Sequence, residues 1–141
     1  MKIDVSIGEI VDKLTILSIK LDMFKDPEKR KNVEKEYQIL LQSLKTSDIT
    51  PESEEFKKLK TINLKLWDIE DKIRVKEAEK SFDDEFIELA RSVYFTNDER
   101  AEIKKQINLK YNSDLIEEKE YVNNHCMNNH ENLRGSKYYI D

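Results

Sequence analysis

The segment SIGEIVDKLTILSIKLDMF, residues 6–24, decides the fold class of this chain. Ser6 and Glu9 have the spacing of a capping box, in which the serine hydroxyl accepts the N–H of the third residue beyond it. Apolar residues then recur at intervals of three and four, which is the period of one face of an α-helix. This seam consists of Ile7, Ile10, Leu14, Leu17, Leu21 and Phe24. The segment therefore predicts a long amphipathic helix that begins at Ser6.

Further helix starts follow along the chain. Asp26-Pro27 and Thr50-Pro51 each pair an N-cap residue with a proline suited to the first helical position. Residues 81–84 and the capping box Thr96-Asn97-Asp98-Glu99 indicate two more starts. We therefore predict an all-α fold: an antiparallel helical bundle built from an N-terminal αα-hairpin, a long third helix and two shorter helices.

The composition excludes several classes of protein. The chain has 141 residues, about one domain, and its 2 Gly and 2 Pro are too few for a turn-rich β-sandwich. No apolar run approaches the roughly 18 residues of a membrane span, so we expect no membrane association. The net charge of −5 disfavours binding to nucleic acid. The single Cys126 and the lack of an apolar leader sequence predict a cytoplasmic protein.

The C-terminal stretch differs in character from the rest of the chain. Residues 123–132 read NNHCMNNHEN and have no helical periodicity. We predict a single helical-bundle domain over residues 1–122. The polar, Asn-rich tail over residues 123–141 is expected to be poorly ordered or peripherally docked.

The first predicted helix is apolar on two sides. Away from the seam, Ile16, Ile19 and Met23 cluster on roughly the opposite side of the helical wheel. Such a helix is either the most buried helix of a monomer or a helix shared with a second chain. These three residues are therefore a candidate interface for a homodimer or another protein partner, and the monomeric alternative stays open.

A second polar side also stands out on the third predicted helix. Five residues fall close together there, beside the apolar seam: Phe56, Asn63, Trp67, Glu70 and Arg74. They could form the wall of a small pocket. The alternative is an ion pair between Glu70 and Arg74 that covers a half-buried tryptophan.

The segment RSVYFTNDER, residues 91–100, is the densest mixture of polar and aromatic residues in the chain. Arg91 and Arg100 flank the helix start predicted at Thr96, where free N–H groups could hold an anion such as phosphate. The alternative is that Thr96 and Glu99 already satisfy this helix end, and that the arginines pair with local carboxylates.

Carboxylates spaced three residues apart occur on two predicted helices, as Glu9 with Asp12 and as Asp68 with Asp71. Helical bundles hold divalent cations with such pairs, and all-α nucleotide pyrophosphohydrolases use E-x-x-E followed by E-x-x-D. This chain departs from that pattern, and in so acidic a sequence such spacings arise by chance. The sequence also lacks the motifs of the common catalytic nucleophiles. We predict no metal site and no cofactor.

Four motifs resemble a small family of uncharacterised bacterial and phage proteins, a domain of unknown function. They are SIGEIVDKLTIL at 6–17, LWDIEDKIR at 66–74, FIELARSVY at 86–94 with TNDER at 96–100, and EEK at 117–119. The resemblance covers roughly residues 5–121, and the tail lies outside it. It implies a stand-alone helical domain without an assigned activity.

The motifs contain more polar residues than a core needs, and these define a candidate pocket. Its residues are Glu9, Asp12, Lys13, Trp67, Glu70, Asp71, Arg74, Arg91, Tyr94, Asn97 and Arg100. The function that we favour from the sequence is a non-enzymatic module for self-association or partner binding. The alternative is a small enzyme or binder for an anionic, phosphorylated or nucleotide-type metabolite, with or without Mg²⁺, that uses these carboxylates and arginines.

Overall fold

The first helix, α1, spans Ile7–Met23 in a computed structural model that describes residues 1–122. The Ser6 hydroxyl accepts the Glu9 N–H at 3.1 Å, as the capping box predicts. Glu9 does not complete the box, because its carboxylate instead accepts a hydrogen bond from Lys104 at 2.7 Å. Seven residues of α1 are buried, on more than one side of the helix: Gly8, Val11, Asp12, Leu14, Thr15, Leu17 and Ile19. The helix is therefore central to the bundle.

The second helix, α2, spans Pro27–Ser43 and completes the predicted αα-hairpin. Asp26 caps it by accepting the Glu28 N–H at 3.0 Å, and Pro27 occupies the first helical position. Arg30 joins the two helices, since its guanidinium donates to the carbonyls of Leu21 and Phe24. A short 3₁₀ turn over Leu44–Thr46 follows.

The third helix, α3, spans Glu54–Ala78, and Ser53 rather than Thr50 is its N-cap. Thr50 and Pro51 lie in the preceding turn, which is closed by the Thr50 N–H on the Ser53 hydroxyl at 3.0 Å. The proline therefore shapes the turn instead of starting the helix.

The prediction of two shorter helices at the C-terminal end of the bundle is wrong. A single helix, α4, spans Asp84–Lys110. Thr96, taken as an N-cap in the sequence, lies mid-helix and is only 1% exposed. No glycine or proline interrupts this stretch, and extending a helix avoids the unfavourable nucleation that a new helix requires. Arg91 and Arg100 consequently flank no free helix end, so the anion site expected there does not exist.

The core lies between α1, α3, α4 and the segment that joins α2 to α3. It contains Val11, Leu14, Leu44, Ile49, Phe56, Leu59 and Ile107. The four helices account for all regular structure other than the 3₁₀ turn within residues 1–122, which confirms the all-α bundle.

Gly8 permits a close crossing of α1 and α4. A Cβ at this position would lie 2.7 Å from the Lys104 carbonyl oxygen and 2.9 Å from Asn108 Oδ1. The Gly8 N–H donates to Asn108 Oδ1 at 2.7 Å, and the Ile7 N–H donates to the Ser113 hydroxyl at 3.0 Å. Side chains of α4 and its C-terminal extension thus satisfy the N-terminus of α1.

The distal ends of α3 and α4 form a hairpin that we define as residues 70–95. No residue of this distal hairpin is buried. Four of its apolar side chains are exposed by 45% or more: Val75, Phe82, Ile87 and Tyr94. The hairpin is therefore held mainly by contacts along one half-buried seam.

Candidate functional site

An open cleft of about 460 Å³ lies between α1, α3 and α4, at the base of the distal hairpin. Its lining residues are Ile16, Ile19, Asn63, Leu66, Trp67, Glu70, Asp71, Arg74, Val93, Asn97 and Arg100. The apolar members come from all three helices. The polar members lie on α3 and α4.

A buried ion pair forms the floor of the cleft. The Asp12 carboxylate is 1% exposed and accepts Arg100 Nε–H on Oδ1 at 2.9 Å. Arg100 Nη2 donates to the second oxygen, Oδ2, so the pair is bidentate. Charge-assisted, two-point contacts of this kind are among the strongest hydrogen bonds in proteins and also fix the orientation of the guanidinium.

Asn63 shares the same carboxylate oxygen as Arg100. Its Nδ2 donates to Asp12 Oδ1 at 2.9 Å and to the Thr15 hydroxyl oxygen at 2.8 Å. The Thr15 hydroxyl donates to the Asp12 carbonyl oxygen at 2.7 Å, so its oxygen is free to accept. Because a carboxylate can only accept, the amide of Asn63 has to face it with the NH₂ group. Asn63 Oδ1 therefore faces away from the ion pair.

Asp12 holds one edge of the Arg100 guanidinium, and the other edge keeps N–H groups available for a ligand. Its hydrogen bonds to Asp12 raise the pKa of the guanidinium, and burial opposes this rise. Nη1 also donates to Asn97 Oδ1 at 3.4 Å. Within residues 1–122, one N–H on each Nη atom meets no acceptor, and the side chain is 29% exposed. A fixed cation with two uncommitted donors thus borders the cleft.

Lys104 extends the ion pair into a network of five charged groups. Its Nζ lies 2.7 Å from Glu9, 3.1 Å from Glu117 and 4.0 Å from Asp12. Burial lowers the pKa of Lys104, but hydrogen bonds to Glu9 and Glu117 and the nearby Asp12 charge outweigh it, so the pKa is raised. Lys104 therefore stays charged and ties the segment after α4 to α1.

The rim of the cleft is solvated and mixed in charge. Trp67 packs at 6.3 Å from Phe24, measured between ring centroids. Arg74 and Glu70 pair at 3.6 Å, and both side chains are more than half exposed. Asp71 is exposed and has no cationic partner in the part of the chain that the structure describes. The rim pair therefore adds little stability and remains free to rearrange.

A comparison with protein families identifies the family of this chain. A model described as "Family of unknown function (DUF6165)" matches residues 1–133. The chain belongs to this family. The DUF6165 match extends past residue 121, so it includes part of the tail that the motif resemblance left out. Neither a curated protein nor a solved structure matches the chain.

The cleft brings together more than half of the candidate pocket residues. Those that line it are Trp67, Glu70, Asp71, Arg74, Asn97 and Arg100. Asp12 lies beneath them as the partner of Arg100, and Glu9 joins through Lys104.

The other three candidate residues lie elsewhere. Lys13 faces Glu36 of α2 at 4.0 Å. Arg91 pairs with Glu88 at 3.2 Å, and Tyr94 packs on Phe95 with ring centroids 4.7 Å apart. They belong to the motifs that define the candidate pocket, but they do not line the cleft.

The list of candidates omitted Asn63 and Lys104, which the structure places in the site. Asn63 lies four residues before Trp67 on the same side of α3, as the sequence already indicated, but it is not one of the candidate pocket residues. Lys104 has no comparable signal, because one lysine among so many gives no indication of its burial.

The candidate interface residues divide between the interior and the surface. Ile19 is fully buried within the chain, and Ile16 is half-buried against the cleft. Met23, in contrast, is 47% exposed. Of the three residues in this second apolar stripe, Ile19 alone is fully covered within the chain.

Three of the four carboxylates in these spaced pairs are matched with a cation, and Asp71 is the exception within residues 1–122. Asp12 pairs with Arg100, Glu9 with Lys104, and Asp68 with Lys72. No group of three or more potential metal ligands occurs within residues 1–122. The histidines and the cysteine of the tail, like the predicted disorder or docking of residues 123–141, lie outside the described residues.

In the described part of the chain, no helix combines the length and the apolar character needed to cross a bilayer.

Proposed function

We propose that this protein binds a small anionic ligand in the cleft, with Arg100 as the anchoring cation. The observation that carries the proposal is the orientation of Arg100. Asp12 holds one edge of its guanidinium in a buried two-point contact, while the two Nη atoms keep uncommitted N–H groups. Such a cation needs no reorganisation to receive an anion, which lowers the cost of binding.

The size and lining of the cleft support a small molecule. Pockets for such ligands commonly measure about 300–1,000 Å³ and combine apolar walls with a few oriented polar groups. The cleft falls in this range at about 460 Å³. Ile16, Leu66 and Trp67 offer an apolar surface beside the polar floor. We assign no reaction, and the single Cys126 favours a reducing, cytoplasmic compartment.

Trp67 provides a direct test, because it is the only tryptophan in the chain and lines the cleft. We expect its fluorescence to change on titration with phosphate, benzoate or other small anions, and to saturate. Arg100→Lys keeps a positive charge opposite Asp12 but loses the planar pair of guanidinium donors. It should therefore weaken anion binding at least about tenfold. Unchanged binding by this variant would refute the assignment of Arg100.

A matched pair of surface variants controls for general charge effects. Arg74 lines the cleft and pairs with Glu70, whereas Arg91 pairs with Glu88 outside it. Both arginines are exposed on the same hairpin. Arg74→Gln should weaken anion binding, and Arg91→Gln should leave it unchanged. Equal effects would mean that the anions respond only to net charge.

A second candidate function is self-association through the distal hairpin. It rests on the complete lack of buried residues between 70 and 95, together with the exposed Ile87 and Tyr94. A second copy could cover this surface, since a two-fold interface uses the same patch on both chains. A stable interface buries roughly 800 Å² on each partner.

The mass in solution tests this second candidate. Sedimentation velocity over a range of concentrations should show a dimer that Ile87→Glu dissociates. Ile39→Glu is the control, because Ile39 is similarly exposed, at 58% against 51%, but lies on α2. A monomer at every concentration would eliminate self-association.

A further inference from the structure

Asn63 presents to the cleft a hydrogen-bond acceptor, Oδ1, that no other residue between 1 and 122 uses. The side chain is only 5% exposed and lines the cleft. Both of its N–H bonds are committed, to Asp12 and to Thr15. No donor within residues 1–122 reaches its Oδ1. Asn63 Oδ1 retains contact with the open cleft, so it can accept a hydrogen bond from water or from a ligand.

Asn63 and Arg100, which carry the uncommitted acceptor and the uncommitted donors, line the same cleft. Asn63 Nδ2 and Arg100 Nε both donate to the same oxygen, Asp12 Oδ1, at 2.9 Å each. Sharing one oxygen keeps the amide and the guanidinium close enough for one small ligand to contact both. The cleft therefore offers two donors for an anion and one further acceptor.

The charge of the cleft favours a ligand of low net charge. Asp12 neutralises Arg100 from below, and on the rim Glu70 and Asp71 outnumber Arg74. A doubly charged phosphate would meet these carboxylates. A planar carboxylate matches the guanidinium fork with a single negative charge.

We infer that the ligand is a carboxylic acid with a hydrogen-bond donor, a hydroxyl or an ammonium group, on the carbon next to the carboxylate. The carboxylate would accept from Arg100, and the adjacent donor would satisfy Asn63 Oδ1. This inference rests on the proposed function and narrows its ligand to 2-hydroxy and 2-amino acids.

Three probes of constant size test the inference: 3-phenylpropionate, both enantiomers of 3-phenyllactate, and both enantiomers of phenylalanine. They differ only at the 2-position, and the phenyl group suits the wall formed by Leu66 and Trp67. Binding is measured by Trp67 fluorescence and by NMR shift changes with the full-length protein. We expect one enantiomer of phenyllactate or phenylalanine to bind at least about tenfold more tightly than phenylpropionate.

The outcomes separate this inference from the proposal on which it rests. If all three probes bind equally, or if phosphate binds and the carboxylates do not, the inference fails while anion binding stands. If neither these probes nor phosphate binds at millimolar concentration, both fail.

The wild-type series decides the question without any variant. Asn63→Ala, where circular dichroism shows that it folds, should additionally abolish the preference for phenyllactate over phenylpropionate. Retained discrimination in this variant would overturn the role given to Asn63 Oδ1.

Discussion

Asp12 illustrates how one side chain serves both the fold and the cleft. Its carboxylate is buried and accepts from Arg100 and Asn63, while Lys104 lies 4.0 Å away. Burying such a group without partners would be very unfavourable, and the three partners offset that cost. The same contacts orient the groups that border the cleft. Stability and binding are therefore coupled at this residue.

We predict that Asp12→Asn lowers the free energy of unfolding by about 3 kcal/mol, because it leaves Arg100 without its charge partner. This is the low end of the range for a broken buried pair, since the Arg100 side chain is 29% exposed. Urea unfolding followed by circular dichroism measures the change. Lys13→Ala is the control on the same helix, since its exposed contact with Glu36 is long, at 4.0 Å, and should contribute less than about 1 kcal/mol. Equal effects of the two variants would contradict a dominant role for the buried pair.

Asp83 is the N-cap of α4 and titrates at unusually low pH. The hydrogen bond from Lys76, at 2.9 Å, and that from the Phe86 N–H, at 3.0 Å, lower its pKa from 3.8 to about 2. Because the pKa is lower in the folded state, the stabilisation is fully present above pH 3.8. It is lost as the pH falls through about 2.

We therefore expect an NMR titration of the Asp83 carboxyl carbon to give a midpoint well below 3.8. Lys76→Met removes the hydrogen bond that contributes most to the lowered pKa of Asp83, so it should raise this midpoint. Asp83→Asn should reduce the loss of stability in the same acidic range. An ordinary midpoint in the wild-type protein would show that the cap and the ion pair do not form.

At the level of the helices, the crossing of α1 and α4 depends on Gly8. Alanine is normally favoured over glycine in a helix by about 1 kcal/mol. Here its Cβ would meet a backbone oxygen of Lys104 at 2.7 Å, which cannot move without shifting α4. The steric term therefore outweighs the helix propensity.

We predict that Gly8→Ala lowers the free energy of unfolding by about 1–3 kcal/mol, the usual cost of overpacking. Thermal or urea unfolding measures it. Ser18→Ala, at a half-buried position of the same helix, should have little effect or stabilise slightly. A stabilising Gly8→Ala would mean that the two helices are further apart than described.

At the level of the whole molecule, stability is distributed unevenly. The buried residues cluster around α1 and the proximal parts of α3 and α4, whereas the distal hairpin contains none. Regions with few buried contacts open at lower free energy than the core. The cleft lies at the boundary between these two regions.

We predict that amides of residues 70–95 exchange with solvent faster than those around Leu14 and Ile107, which are fully buried. Hydrogen exchange followed by NMR measures both sets in one experiment. Uniform protection across the chain would contradict the prediction. Protection of the hairpin that rises with protein concentration would instead support self-association.

The sequence was sufficient to predict local structure. Capping residues and apolar periodicity act between neighbours in the chain, so Ser6, Asp26-Pro27 and the seam of α1 correctly indicated the hairpin and the all-α class. The same local reasoning failed at Thr96. A capping sequence starts a helix only where the chain leaves the helical conformation, and the packing of α4 prevents this.

The site, in contrast, depends on contacts between residues far apart in the chain. Asp12 meets Asn63 and Arg100 across 51 and 88 positions. In a chain with 30 acidic and 25 basic residues, no local pattern distinguishes the Asp12–Arg100 pair from the many solvated ion pairs. Burial makes the distinction, because it removes water from the two charges and requires each to find a partner. Burial is a property of the assembled helices.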